Sequence, residues 1–359
     1  MNPTERASQR FFAGLSQACP VDSISHIYLN NLIITQSRSL IDVMLEAGFN
    51  GTVVAARASI ADQLQSIHPD SVLLNDHPSN HEPADHILLE LNQGREAART
   101  TIEDALTAIS KGGRVWIFGS QESGILSISK RFSQSKTALY KGHLRLVSLA
   151  KTSQYQEKPR KKTAATIPVL DSEGFCQFTC RDLPITSRPG LFSWQGADPA
   201  SLLLLDAMAK LEFDPGPQVL DWGCGTGLLS AVLAKRWPNS FFTLSDDLWS
   251  AVRCAKLTMS QNQLAERSRV IAEDGIGPIL SQQKFSTIIS NPPFHRGVRT
   301  DSTAVETFIK KGVEVLEKGG SLWLVGNSFL NYSQQLSKHL QHVETVVENS
   351  KFSIIRGRR

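Results

Sequence analysis

The chain has 359 residues, enough for two domains with separate cores, and its 41% hydrophobic and 20% charged content excludes extended disorder. No apolar run reaches the length of a membrane span, and the polar start from Met1 to Gln9 carries no signal-peptide core. A net charge of +4 permits a polyanionic partner without requiring one. The five cysteines (Cys19, Cys176, Cys180, Cys224 and Cys254) are odd in number and scattered, the usage of a reducing cytoplasm. Cys176 and Cys180 lie close together, but no second Cys/His pair follows them, so no metal is expected.

In chain order, the first half alternates helical segments with short apolar ones. Val53-Val54-Ala55-Ala56 and Ser71-Val72-Leu73-Leu74 are predicted strands, as is the apolar run from Asp85 to Leu91. Ala97 to Ser110 has helical spacing and leads through Lys111-Gly112-Gly113 into a strand from Arg114 to Phe118. This rhythm predicts a parallel sheet with helices on both faces. No glycine-rich turn, carboxylate pair or nucleophile motif occurs in it. From 151 to 166 the chain is polar, basic and without apolar periodicity, which places a linker between a domain at 1–150 and another at 167–359. Lys158, Arg160, Lys161 and Lys162 there either touch a phosphate backbone or simply keep the linker solvated.

The second half repeats the pattern. Lys318-Gly319-Gly320-Ser321-Leu322-Trp323-Leu324-Val325-Gly326 matches Lys111-Gly112-Gly113-Arg114-Val115-Trp116-Ile117-Phe118-Gly119, and each copy follows an amphipathic helix. Two fused copies of one α/β unit account for this, although so short a match can arise by chance.

Chemistry is concentrated in the second copy. In Asp221-Trp222-Gly223-Cys224-Gly225-Thr226-Gly227, a buried strand runs into Asp221 and a helix follows from Leu228. Glycines at 223, 225 and 227 let a ligand approach the backbone, and the helix start offers N–H groups. No Gly-Lys-Ser/Thr follows, and the third glycine comes one residue early for a dinucleotide fingerprint. The next strand, Ser240 to Leu244, leads to Asp246, placed to accept both hydroxyls of a ribose. The strand Ser268 to Ala272 leads to Asp274, a carboxylate able to accept from an adenine amine. The apolar run Phe285 to Ile289 ends at Ser290-Asn291-Pro292-Pro293-Phe294-His295. Two prolines stiffen this backbone and remove its donors, Asn291 adds an amide oxygen, and Phe294 adds a flat apolar face. A rigid set of acceptors beside a ring suits a planar molecule with an –NH2 group, either a nucleobase amine or a carboxamide.

In this order the motifs resemble class I S-adenosylmethionine-dependent methyltransferases. Asp221 to Gly227 and Ile288 to His295 look specifically like bacterial ribosomal RNA guanine methyltransferases that modify the 2-amino group, most of all the small-subunit (16S) methyltransferase C family. Ser187-Arg188-Pro189-Gly190-Leu191-Phe192-Ser193 resembles the same family's lead-in, and Trp222 departs from it, a smaller aliphatic residue being usual there. The resemblance implies two tandem class I methyltransferase-like (Rossmann-like) domains with mixed seven-stranded sheets. The N-terminal copy would be degenerate, without a cofactor site, and would bind RNA or act as a folding scaffold. It implies S-adenosyl-L-methionine as cofactor and 16S rRNA, in the small ribosomal subunit, as partner. The protein would act in the cytoplasm as a monomer, without membrane or metal.

By the same resemblance, Asp221, Gly223, Gly225 and Gly227 would hold the methionine part of the cofactor, Asp246 the ribose and Asp274 the adenine, with Asn291 at the reacting end. Asn291 and the Pro292 carbonyl would grip the two hydrogens of the substrate amine while Phe294 stacks on the base. Pro293, His295, Arg296 and Arg299 would contact the substrate, His295 as a positioning group or a loop cap and the arginines at RNA phosphates. Other readings stay open. They are a 23S rRNA guanine methyltransferase, a protein glutamine methyltransferase, an adenine methyltransferase, and a non-catalytic RNA-binding assembly factor that keeps the fold.

Overall fold

The computed structural model describes residues 3–30, 34–76, 83–157, 168–292, 302–328 and 332–359. The chain divides into two compact units, Met1–Ile167 and Pro168–Arg359. In the first, strands β1 (Ile24–Leu29), β2 (Thr52–Ala55), β3 (Val72–Leu74), β4 (Ala84–Glu90) and β5 (Ile109–Ser120) pair in parallel. The hairpin of β6 (Lys136–Lys141) and β7 (Leu144–Ala150) adds to β5 antiparallel, giving the order β3-β2-β1-β4-β5-β7-β6.

Strand side chains alternate between faces, and here both faces are covered. Trp116 and Phe118 of β5 join the cluster made with α1 (Pro3–Ala18), α2 (Ile34–Glu46) and α3 (Ala58–Gln65). Val115 and Ile117 join the opposite cluster, with α4 (Arg95–Ala108) and α5 (Ile125–Ser129). Burial on two sides explains why the strands read as unbroken apolar runs.

The second unit opens with the hairpin β8 (Cys176–Cys180) and β9 (Leu183–Ser187), followed by α6 (Pro199–Lys210). Its sheet is built from β10 (Gln218–Trp222), β11 (Phe241–Asp246), β12 (Ser268–Ala272), β13 (Phe285–Ser290), β14 (Leu316–Asn327), β15 (Gln341–Glu348) and β16 (Phe352–Arg358). The order β12-β11-β10-β13-β14-β16-β15 is the same permutation as in the first unit. α6, α7 (Leu228–Arg236) and α8 (Trp249–Gln261) cover one face; α9 (Ser302–Val315) and α10 (Tyr332–Leu336) cover the other.

The repeated Lys-Gly-Gly has a physical reason in both copies. Gly112 and Gly319 have φ of +93° and +79°, where a side chain is strained. A Cβ on Gly113 would run into the Asp85 carbonyl oxygen, and one on Gly320 would sit 2.8 Å from that of Ser286. The glycines therefore bend the strand and let its neighbour pass, which is why β5 and β14 begin before the glycines and not after them. All five cysteines are buried thiols. Among the described residues no group of three His, Cys, Asp or Glu could hold a metal, and no helix is long and apolar enough to cross a membrane.

Candidate active site

Four strand ends meet at one edge of the second sheet. β10 and β13 are neighbours, yet α7 leaves to one face and α9 packs on the other. Chain order reverses between them, and a crevice opens outside their ends.

Gly223, Gly225 and Gly227 all have positive φ (+76°, +55° and +74°) and turn β10 into α7. A Cβ on Gly223 or Gly225 would meet nothing within 4 Å, so bare backbone faces open space there. Gly227 serves packing instead, since its Cβ would lie 3.2 Å from the Ala255 Cα and 3.3 Å from Leu244 Cδ2. Gly223 and Cys224 donate their N–H groups to the Ser245 carbonyl, both at 2.9 Å. Asp246 completes the loop: Oδ2 accepts from Gly225 N–H and Oδ1 from Leu248 N–H, each at 2.9 Å. A carboxylate accepts up to about four bonds, so one that shapes the loop can also take ribose hydroxyls.

Asp221 is only 1% exposed. Its Oδ2 accepts from the Ser230 hydroxyl at 2.6 Å and the Ser230 N–H at 3.2 Å. Gly227 is the N-cap of α7 and has no side chain, so Asp221 satisfies a first-turn N–H that the cap cannot. Burial pushes its carboxyl up to about 7, the Ser230 bonds lower it, and the neighbouring Asp246 raises it. Burial, with Asp246 and Asp221 nearby, also lifts the Cys224 thiol well above its usual range, so it stays neutral.

Trp222, the departure from the family pattern, points to the other face. Its ring stacks on Phe308 at 3.6 Å between centroids and 9° between planes. Gly312 makes room, because a Cβ there would lie 3.1 Å from the indole. The larger residue is thus absorbed on the α9 side and leaves the glycine loop clear. The Trp222 carbonyl accepts from Ser290 Oγ at 2.6 Å, tying β13 to β10 beside the crevice.

After β12, two adjacent acids divide their work. Glu273 is buried and accepts from Ile279 N–H (2.7 Å) and Leu280 N–H (3.0 Å), whereas Asp274 is exposed.

At the end of β13, Asn291 Nδ2 donates to Asp198 Oδ2 and Ser201 Oγ, both at 3.0 Å. Asp198 is the N-cap of α6 and also accepts from Ser201 N–H at 2.9 Å. A carboxylate can only accept, so the nitrogen of the amide faces Asp198 and its oxygen is turned the other way. Pro293, Phe294, His295, Arg296 and Arg299 lie outside the described residues, as do Lys158, Arg160, Lys161 and Lys162. The structure thus brings together Asp221, the three glycines, Asp246, Asp274, Asn291 and Pro292 at one sheet edge.

Sequence reasoning missed Asp198, Ser201, Ser230 and Glu273. Asp198-Pro199 before an apolar run is a readable helix start, but its bond to a residue 93 positions away is not.

Strand register gives the counterparts of these residues in the first sheet. Ile27 stands where Asp221 stands, Ala55 where Asp246 stands, and Glu90 where Asn291 stands. Asn30 donates its N–H to Glu90 Oε2 and its Nδ2 to the Glu90 carbonyl, both at 2.6 Å. The strand ends that flank the crevice in one sheet are bonded to each other in the other.

The family described as the methyltransferase small domain matches residues 182–356. Ribosomal RNA small subunit methyltransferase C of Pseudomonas aeruginosa is 35% identical over 261 residues, 71% of this chain and 74% of that protein. The protein of the same name from Pseudomonas entomophila is 34% identical over 278 residues, 77% and 79% of the two chains. Among solved structures, the T. thermophilus 16S rRNA N2 G1207 methyltransferase, in complex with AdoMet and guanosine, is similar in fold with a TM-score of 0.76. It is 21% identical, and the match covers 98% of this chain and 92% of that one.

Proposed function

The chain belongs to the ribosomal RNA small subunit methyltransferase C family, and on that premise we propose that it transfers a methyl group from S-adenosylmethionine to the exocyclic 2-amino group of a guanine in 16S rRNA. The observation that carries this reading is the Asn291 amide, locked by Asp198 and Ser201 at the mouth of the β10/β13 crevice. It is a preset acceptor where an amine must be held.

The residues fit the cofactor. Open space over Gly223 and Gly225 admits a ligand on the backbone, Asp246 takes the ribose hydroxyls, and exposed Asp274 takes the adenine amine. Asp221 supports the methionine end by fixing the start of α7. When bound, S-adenosylmethionine supplies an electrophilic methyl on a sulfonium. Asn291 Oδ1 and the Pro292 carbonyl accept the two hydrogens of the guanine amine, which favours a pyramidal nitrogen and aims its lone pair for in-line displacement. Once methylated, the amine nitrogen would be acidic, and its extra proton would leave to water. A strong base before transfer is not required. Phe294 stacks on the splayed base and replaces part of the stacking it left. Pro293 and His295 contact the substrate, and Arg296 and Arg299 meet phosphates.

The first unit, a domain of about 150 residues before the linker, is in this reading a copy without a cofactor site. Ile27 and Ala55 supply no carboxylate, and the Asn30–Glu90 bonds close the place where the crevice would open. It serves RNA binding or the folding of the catalytic half. The protein works as a monomer in the cytoplasm on the small ribosomal subunit, where the substrate named for its relatives resides.

The test is methyl transfer from labelled S-adenosylmethionine to ribosomal subunits from cells lacking the protein, with Asn291→Ala alongside and a nucleoside digest at the end. The expected product is N2-methylguanosine from small-subunit RNA, lost in the variant. Label confined to large-subunit RNA moves the assignment to a 23S enzyme. Cofactor binding with no RNA labelled rejects the guanine reading in favour of a carboxamide or adenine substrate.

A further inference from the structure

The two sheets share one topology, so each is an internal control for the other. The outer strand of the second, β15, carries Glu344 and Glu348 and no Lys or Arg; the outer strand of the first, β6, carries Lys136 and Lys141 and no acid. The contrast extends beyond the strand. Residues 123–156 hold six Lys and Arg and no Asp or Glu, whereas residues 1–122 hold eight basic and fourteen acidic residues. Within residues 1–156 the excess of positive over negative charge therefore falls in the segment that carries the outer hairpin, while the remainder is net acidic.

Two of the six are committed within the fold. Lys151 Nζ donates to the carbonyls of Thr107 (2.7 Å) and Ile109 (2.6 Å), and Lys141 Nζ donates to that of Arg10 (3.3 Å). Lysine on an outer strand also blocks sheet-to-sheet pairing, which alone would account for Lys136. It does not account for Tyr140. This ring is 54% exposed on the same strand, and the Arg145 guanidinium carbon lies 4.0 Å from its centroid. Tyr140 and Arg145 are register partners, so the stack is built into the hairpin. Lys130 and Lys136 are exposed on either side of the turn between α5 and β6. Two acids bound this segment: Glu122, on the turn where Gln121 N–H bonds the His143 carbonyl at 3.0 Å, and Glu157, which pairs with Arg99 Nη1 at 3.1 Å.

Cations to neutralise phosphates, with a sheet-borne ring backed by a guanidinium, form the chemistry that receives single-stranded RNA. Charge holds the backbone, and the ring stacks a base without reading its edge. We infer that the β6–β7 edge is a docking surface for an unpaired RNA segment, with Tyr140 and Arg145 as the stacking platform and Lys130, Arg131 and Lys136 at phosphates. The inference rests on the ribosomal RNA reading for the identity of the polyanion.

The test uses the full-length protein and a labelled single-stranded oligoribonucleotide, with binding measured by anisotropy over a salt series. Lys130→Glu/Lys136→Glu should weaken binding about tenfold or more at low salt and reduce the slope of log K against log salt by about 1.4, at about 0.7 per phosphate contact on a single strand. Tyr140→Ala should weaken binding roughly 5- to 150-fold with the slope unchanged, the signature of a lost stack. Melting temperature and S-adenosylmethionine affinity should match wild type in both, since these side chains are exposed and belong to the first unit, not to the residues proposed to hold the cofactor. In the methyl-transfer assay the variants should raise KM for RNA and leave kcat alone. Wild-type affinity and slope in both folded variants would overturn the inference, even if methylation of 16S rRNA is confirmed. Edge-dependent RNA binding by a wild-type protein that labels no RNA would uphold the surface and reject the substrate reading instead.

Discussion

Asp221 offers a test whose sign and size follow from its surroundings. Its carboxyl is pushed from the usual 3.8 to about 7 by burial, so the folded protein keeps a proton that the unfolded chain gives up near pH 4. A raised acid contributes stability that is fully present below the unfolded value and is lost as pH rises through the folded one. At about 1.4 kcal/mol per unit, this group removes up to about 4 kcal/mol between roughly pH 4 and pH 7, and nothing more above that. Asp221→Asn is uncharged at every pH and keeps an acceptor for Ser230. The variant should be close to wild type at about pH 4 and more stable than wild type at about pH 8, with the gap opening across that window. Urea unfolding of the cofactor-free protein at several pH values measures this. Trp fluorescence is the suitable probe because five of the six tryptophans (Trp194, Trp222, Trp237, Trp249 and Trp323) lie in the second unit. A gap that does not change with pH, or a variant less stable than wild type at about pH 8, refutes the buried-proton account.

Four further substitutions separate roles in and around the site. Asp198→Asn keeps a good helix cap but replaces a charge-assisted bond to Asn291 by a neutral one, worth about 1–1.5 kcal/mol less, so kcat should fall about tenfold at unchanged cofactor affinity. In an Asn291→Ala background the same change should have no further effect on kcat; a second full loss there would show that Asp198 acts elsewhere. Gly227→Ala should cost about 2–4 kcal/mol in urea unfolding, from positive φ plus contact with Ala255, whereas Gly223→Ala, facing open space, should cost only the backbone term and act mainly on cofactor affinity. Trp222→Ala should cost about 3–5 kcal/mol by leaving a cavity against Phe308, and a milder loss by calorimetry would mean that α9 closes over the gap.

Much of this protein is legible in its residues because the relevant physics is local. Glycine at 223, 225 and 227 answers to a backbone that must take positive φ, and each glycine of the two Lys-Gly-Gly repeats answers to a bend or to the close passage of a neighbouring strand. The apolar runs answer to strands covered on both faces, and the match of the first sheet's topology to the second follows from the repeat. What the residues could not disclose is which groups meet. Asp274 and Glu273 are equivalent as letters; only the turn to Leu280 buries one and exposes the other. Asp221 reads as a ligand-binding acid, and only the packing of α7 makes it a buried carboxyl held by Ser230. Glu90 cannot be known to seal the first sheet against Asn30 until β1 and β4 lie side by side. Asn291 announces an acceptor by itself, but the direction of its oxygen is decided by a helix cap 93 residues earlier in the chain. Backbone conformation is set within a few residues, whereas hydrogen-bond partners and buried charge depend on segments that only the folded chain brings together.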